Sequence, residues 1–349
     1  MKHLRETHLS IRENTGEKMG KVVVIGSNSF SGSDFIDHAL TDTDFTIHGI
    51  SRSPEKTSLF NPYKENANRF RFSFHQMDLN QNMEELKKLL LEIKPEYIVN
   101  FAAQSEVGPS WEHPEQWFRT NAVAIAELGN FLKEKEWLQK YVHISSPEVY
   151  GTCEGIVKEE APLNPSTPYA ASKTAGDLML FTLVKNFDFP LVMIRSTNVY
   201  GAHQQIFKII PRATIFLKKG KTIELHGGGN AIKSYIHIRD VSRGELLAML
   251  HGRIGQIYHL SPSDSGISIK SLVRKICDLM DKDFSSSTKT VADRIGQDKA
   301  YIIDSSKSRS ELNWDSKITL DHGLNGVISW VEKNWDEIKD YSLDYCHKP

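Results

Sequence analysis

From Lys21 onward the chain alternates short, continuous apolar runs with helix-like stretches, and this rhythm constrains the fold more than any other feature. KVVVIG passes through a glycine-bearing turn into DFIDHAL. FTIHGIS, FRFSFHQMD, EYIVNFAA and YVHISS follow, with NMEELKKLLLEI and TNAVAIAELGNFLKE as helical connections. Strands that read as unbroken Val and Ile, without period-two alternation, are buried on both faces, as in a parallel sheet covered by helices on either side. The expected fold is α/β, a Rossmann-type doubly wound parallel sheet with a smaller C-terminal α/β domain. LVMIRSTNVYG supplies a further strand, and beyond Gly201 the rhythm changes to a hairpin-like KTIELHGGGNAIKSYIHI and mixed elements. A frayed extension is expected at 1–18, a first domain at 19–202 with 233–262, and a second, smaller one at 203–232 with 263–349.

Charge and composition exclude several partner classes. Lys and Arg total 43 against 44 Asp and Glu, a net charge of -1, so no basic excess exists to hold a nucleic acid by counterion release. No apolar run approaches the roughly 18 residues of a membrane span. The first eighteen residues are charged throughout and lack the apolar stretch of a secretory signal, so a cytoplasmic location is expected. Cys153, Cys277 and Cys346 are odd in number, far apart and outside any C-x-x-C spacing, which suggests neither a disulfide framework nor a zinc cluster. His226 and His237 sit at strand spacing without a partner carboxylate and read as structural; no metal site is expected.

The first turn reads Gly26-Ser27-Asn28-Ser29-Phe30-Ser31-Gly32. After a first strand, such glycines let the backbone approach a pyrophosphate while the helix N-terminus holds its charge. The middle glycine of the usual pattern is replaced by Ser29, and an ordinary tight turn explains the motif equally well by itself. At the end of the second strand, folds that choose NAD place an acid on the ribose 2′-hydroxyl, whereas a 2′-phosphate calls for arginine. This chain has Ser51-Arg52-Ser53 there. NADP is therefore favoured, with Arg52 as bidentate partner and Ser51 or Ser53 as hydrogen-bond donor, and NAD as the alternative. A solvated loop arginine is the bland explanation. Asp78, beside Leu79 after the third strand, is the expected acceptor for the adenine amino group, and Ala102 and Ala103 after the fourth strand are expected to line the cofactor.

Tyr169-Ala170-Ala171-Ser172-Lys173 sets a phenol and an ammonium four residues apart, one helical turn on the same face. A nearby cation favours phenolate, bringing a pKa of about 10 toward neutrality and making a usable base. Ser146, in HISSPEVYG, lies 23 residues upstream at a strand end, and Glu148 follows it closely. A solvent-facing carboxylate is the competing reading of Glu148.

With the glycine turn, NFAAQSEV, SSPEVYG, PYAASK, IRSTNVYGAHQ, IIPRA, IELHGGGNAIKSYIHIRDVSRG and DRIGQDKAYIIDSSKSRSELNW in this order, the chain resembles the extended short-chain dehydrogenase/reductase family. Within it the closest resemblance is to the nucleoside-diphosphate-sugar 4,6-dehydratases of the dTDP-glucose and GDP-mannose branches, and it extends from Lys21 to about Asn334. The resemblance implies a lyase that makes a 4-keto-6-deoxy sugar through internal hydride transfer, most simply as a homodimer. Tyr169 would deprotonate the 4-hydroxyl, Ser146 hydrogen-bond that oxygen, Lys173 hold Tyr169 and the cofactor ribose, and Glu148 remove the carbon-5 proton. Asn198, Lys208 and Arg294 match family positions near the diphosphate, Lys233 stands where arginine is usual, and Gln104 and Ser105 are candidates for sugar hydroxyls. Each of these basic residues alone would more often be a surface charge. One departure stands out: glucose-type enzymes carry an aspartic acid where this chain has Pro147, which cannot donate a proton. A 4-epimerase or UDP-glucuronate decarboxylase of the same scaffold, and a non-catalytic NADP-binding module, are the competing expectations.

Overall fold

Val22, Val23 and Val24 are all fully buried, so the first strand has no solvent face. The computed structural model describes residues 20–152, 155–263, 266–292 and 302–348. The strands β1 (Lys21–Ile25), β2 (Thr46–Ser51), β3 (Phe72–Gln76), β4 (Tyr97–Asn100), β5 (Lys140–Ile144), β6 (Leu191–Ser196) and β7 (Gln256–Leu260) form one seven-stranded sheet. Its order is β7-β6-β5-β4-β1-β2-β3, and every pairing is parallel. The chain runs outward from β1 to β3, then returns to build the other half from β4. The reversal leaves a crevice at the carboxyl ends of β1 and β4, where doubly wound sheets bind ligands.

Alternate residues of β1 feed opposite layers, as the pleat requires. Val22 and Val24 join a core with Phe35, Ile36, Ala39 and Leu40 of α1 (Phe30–Asp42) and with Val241, Ala248 and Met249 of the helix Ile238–His251. Val23 and Ile25 join the other core, with α2 (Met83–Ile93), α3 (Ala124–Leu132) and α4 (Pro168–Phe187) supplying Leu86, Leu90, Ile125, Leu128, Leu180 and Leu183. The continuous apolar reading of the strands thus corresponds to two helical layers. Trp314 packs in the first core and donates from Nε1 to the Asp240 carbonyl at 2.8 Å.

The remaining elements surround a third core, with helices Ile209–Lys218, Ile269–Leu279 and Leu320–Lys333 over short ladders. The hairpin expected across KTIELHGGGNAIKSYIHI does not form. Ile223–His226 pairs in parallel with Thr288–Val291, and Tyr235–His237 pairs in parallel with Asn198–Tyr200. Gly227, Gly228 and Gly229 all have positive φ, and a Cβ on Gly229 would lie 2.9 Å from the Lys270 nitrogen. The glycines therefore redirect the chain between two separate partners, which local patterning cannot foresee. Among the described residues no helix is long and apolar enough to cross a membrane.

Candidate active site

The glycine turn sits over the crevice, and its two end glycines are sterically required. Gly26 has φ +87°, and a Cβ there would lie 2.7 Å from the Ala102 nitrogen; on Gly32 it would lie 2.5 Å from the Gly26 carbonyl oxygen. β1, β4 and the first turn of α1 thereby meet in a shallow cradle that side chains would fill, which fits a diphosphate held on helix N–H groups. Ser29, the residue in place of the middle glycine, caps α1: its Oγ accepts from the Gly32 nitrogen at 3.0 Å. Phe30 is buried and Ser31 half-buried at the start of that helix.

The end of β2 is wired inward. Ser51 Oγ accepts from the Asn28 nitrogen at 2.9 Å, and Asn28 Nδ2 donates to the carbonyls of Ser53 and Pro54 at 3.0 and 2.9 Å. Ser51 and Ser53 thus brace the glycine turn through Asn28, a role the sequence did not suggest. Arg52 is exposed, and its Nη2 donates to the Lys348 carbonyl at 3.0 Å. Asp78 Oδ1 accepts from the Asn80 nitrogen at 2.8 Å, closing the turn before α2, and Leu79 is buried in the second core. Ala102 and Ala103 are half-buried beside the cradle. Lys56 was not visible as a site residue, because no motif surrounds it; its Nζ reaches the Asn28 carbonyl at 2.8 Å, directly over the turn. Burial first, and the neighbouring Lys348 charge second, push its pKa down.

At the carboxyl end of β5 a short turn, Pro147–Tyr150, carries Glu148, with Ser146 as its cap: Ser146 Oγ accepts from the Glu148 nitrogen at 3.2 Å. Tyr169 stands in the first turn of α4, capped by Thr167, and is only 8% exposed. Its hydroxyl lies close enough to Ser146 for that side chain to favour the ionised phenol, and within the field of Glu148. The structure therefore brings Ser146, Glu148 and Tyr169 together. Lys173, one turn further along α4, is 1% exposed and donates from Nζ to the Ile144 carbonyl at 2.8 Å, with His143 Nε2 at 3.4 Å.

The electrostatics correct one expectation. Tyr169 is not brought toward neutrality; burial, then the charge of Glu148, push its pKa up, against the smaller lowering by Ser146. The Lys173 ammonium points to the backbone of β5, and burial brings its pKa down to about 8 although Asp177 opposes the fall. Asp177 was missed by sequence reasoning. It is fully buried, accepts from Ser145 Oγ at 2.5 Å and from Arg195 Nη2 at 2.8 Å, and lies one turn beyond Lys173, a spacing that could have revealed it. Asn121 was missed as well. Its side chain bridges the nitrogen and carbonyl of Gln104 at 2.9 Å each and donates to Ser172 Oγ at 2.9 Å, tying the end of β4 to α4. It sits in a π-turn at Arg119–Val123, a feature common at functional sites.

Of the residues expected at the substrate end, several have partners within the chain. Gln104 is buried and donates from Nε2 to the Lys348 carbonyl at 2.8 Å, while Ser105 is exposed. Asn198 Nδ2 donates to the Ser234 carbonyl at 3.1 Å, and Lys208 pairs with Glu106 at 2.5 Å across the mouth of the crevice. Lys233 is half-buried on its short ladder opposite Ile267. Arg294, like Cys153 and the 1–18 extension, lies outside the described residues. His237 caps the helix Ile238–His251 through Nδ1, and His226 Nδ1 bonds the Ala292 carbonyl.

Comparison with known proteins gives the same family from sequence and from structure. The dTDP-glucose 4,6-dehydratase of Haemophilus influenzae is 27% identical over 89% of this chain and 98% of its own. The crystal structure of dTDP-glucose 4,6-dehydratase from Bacillus anthracis in complex with NAD superposes with TM-score 0.82 at 26% identity, covering 92% of this chain and 99% of that one. The Streptomyces venezuelae dTDP-glucose 4,6-dehydratase, solved with NAD bound, gives TM-score 0.83 at 28% identity over 91% and 98%. UDP-glucuronic acid 4-epimerase from Bacillus cereus, at 24% identity and TM-score 0.81, shares the fold. Residues 23–327 match the GDP-mannose 4,6 dehydratase family, and with these relatives the match shows that the chain belongs to that family, a nucleotide-sugar 4,6-dehydratase group of the extended short-chain dehydrogenase/reductase type.

Proposed function

We propose that this chain is a lyase that dehydrates a nucleotide-activated hexose across carbons 5 and 6 to a 4-keto-6-deoxy sugar. The observation that carries the reading is the buried Tyr169 phenol placed beside Ser146 and in the field of Glu148. Two acid–base groups on one crevice wall are what a proton removal at the 4-hydroxyl and another at carbon 5 require. The cradle of Gly26 and Gly32, with Lys56 and Arg52 beside it, would hold the dinucleotide, which when bound takes a hydride from carbon 4 and gives it back at carbon 6. Tyr169 accepts the 4-hydroxyl proton and Ser146 positions that oxygen. Lys173, one turn further along α4 and carrying an ammonium of lowered pKa, supplies the opposing charge once Tyr169 ionises. Glu148 removes the carbon-5 proton and, since Pro147 has no proton to give, also carries it to the departing hydroxyl, which leaves as water; Glu148 then relays a solvent proton to carbon 5 as the hydride reaches carbon 6, and Tyr169 releases the 4-hydroxyl proton to solvent.

NAD is the better-supported cofactor, because the solved relatives named above carry it. Arg52 keeps NADP as the second reading, and a comparison of the two dinucleotides with the Arg52→Ala variant separates them. The base and hexose are read first as dTDP-glucose and second as GDP-mannose, from the relatives and the family match. A homodimer through α4 belongs to the same reading, supported by Leu178 and Val123, which are 53% and 61% exposed on that side. The direct test is incubation with dTDP-glucose, GDP-mannose and UDP-glucose in the presence of NAD or NADP. A base-sensitive 4-keto product is expected. A product epimerised at carbon 4, or no turnover with any of them, would overturn dehydration.

A further inference from the structure

We infer that the segment Asp344–Lys348 and the dinucleotide compete for one groove, so that this part of the chain is a built-in competitor of the cofactor. The inference rests on the dinucleotide reading of the crevice. Its first support is topological. The Lys348 carbonyl accepts from Arg52 Nη2 at 3.0 Å and from Gln104 Nε2 at 2.8 Å. Arg52 follows β2 and Gln104 follows β4, and the strand order β4-β1-β2 puts β1 and its glycine turn between them. A backbone that touches both side chains therefore passes over the carboxyl end of β1, where a diphosphate must lie to reach the N-terminus of α1.

The second support is the way the segment is held. The His347 ring stacks on Trp117 and His113, with centroids 5.2 and 5.5 Å away and interplanar angles of 16° and 11°, and its Nε2 lies 2.7 Å from Gln116 Oε1. Tyr345 meets the edge of Phe207 at 5.3 Å, and Arg212 donates to the Leu343 carbonyl at 3.2 Å. The segment thus spans from the third core to the loop after β4. Stacking, backbone hydrogen bonds and an Asp344–Arg212 ion pair at 3.8 Å hold it, and charge opposes it only at its far end, where Lys348 brings a cation close to Lys56, beside Arg52. A diphosphate entering the groove replaces a like charge with an opposite one, so the exchange favours the cofactor once it is abundant. The segment therefore lowers apparent affinity without blocking the site outright. If the docked form outnumbers the open form by about ten to one, the apparent Kd rises about tenfold.

The test is calorimetric titration of NAD into the full chain and into a variant ending at Leu343, which keeps the Arg212 contact to the Leu343 carbonyl. A roughly tenfold tighter Kd is expected for the shortened chain, an intermediate gain for His347→Ala, and faster hydrogen exchange at residues 344–348 of the full chain when NAD is added. Equal Kd values, or weaker binding by the shortened chain, would overturn the competition while leaving the groove's assignment intact. Failure of both forms to bind NAD or NADP would remove the dinucleotide reading and this inference with it.

Discussion

The end of the crevice proposed for acid–base chemistry and the end proposed for the dinucleotide are assembled by different means. At the catalytic end, Ser146 and Glu148 share one short turn and Tyr169, Lys173 and Asp177 succeed one another along one face of α4, so the group follows from local spacing on rigid elements. At the dinucleotide end, the groove is bounded by Arg52 and Lys56 from the loop after β2 and by Gln104 from the loop after β4, and is crossed by Lys348, far away in the chain. The contrast teaches where rigidity lies. Covalent neighbours on a helix cannot drift apart without unfolding it, whereas loops joined by single hydrogen bonds can open at small cost.

If the catalytic end is as preassembled as it looks, its variants should lose rate and keep structure. Tyr169→Phe is expected to lower kcat about 10³-fold, within the range of lost acid–base catalysis, with unchanged circular dichroism. Glu148→Gln should fall by a similar factor and abolish deuterium exchange at carbon 5, while substrate still binds; retained exchange would take Glu148 out of the mechanism.

The next effect is on stability. Asp177→Asn leaves the Arg195 guanidinium, 1% exposed, without its carboxylate partner, and a loss of about 3 kcal/mol in urea unfolding is expected. A loss no larger than that of a surface substitution would show that the catalytic helix does not depend on this buried pair. Lys173 gives a pH-dependent version of the same test. Burial holds its folded pKa at about 8, below the usual value of 10.5. Between those values the unfolded chain binds the extra proton, so stability contributed through this group rises with pH across that window and is lost as pH falls from 10.5 to about 8, below which both states are protonated. The urea midpoint of the wild type should therefore gain on that of Lys173→Met between pH 8 and 10.5; a constant difference would contradict the burial cost.

The smallest effect sharpens the dinucleotide end. Ser29→Ala should cost about 1 kcal/mol by removing the α1 cap, and Ser29→Gly only a few tenths. Equal losses would mean that the serine, and not merely a cap, is required.

Sequence alone determined the layered sheet, because a strand buried on both sides must be apolar throughout, and it determined the pairing of Ser146 with Glu148 and of Tyr169 with Lys173, because helix and turn geometry fix what lies one turn or two residues away. It did not determine the exchange of strand partners around Gly227–Gly229, the inward wiring of Ser51 and Ser53, the position of Lys56 or the path of Lys348 across the crevice. Those contacts join residues far apart in the chain, and only packing of the whole molecule brings them within hydrogen-bonding reach. The same holds for the sign of the Tyr169 shift. Spacing put a cation one helical turn from the phenol, but how deeply Tyr169 is buried and which way the ammonium faces were decided by the tertiary structure, and desolvation together with the Glu148 charge set the sign.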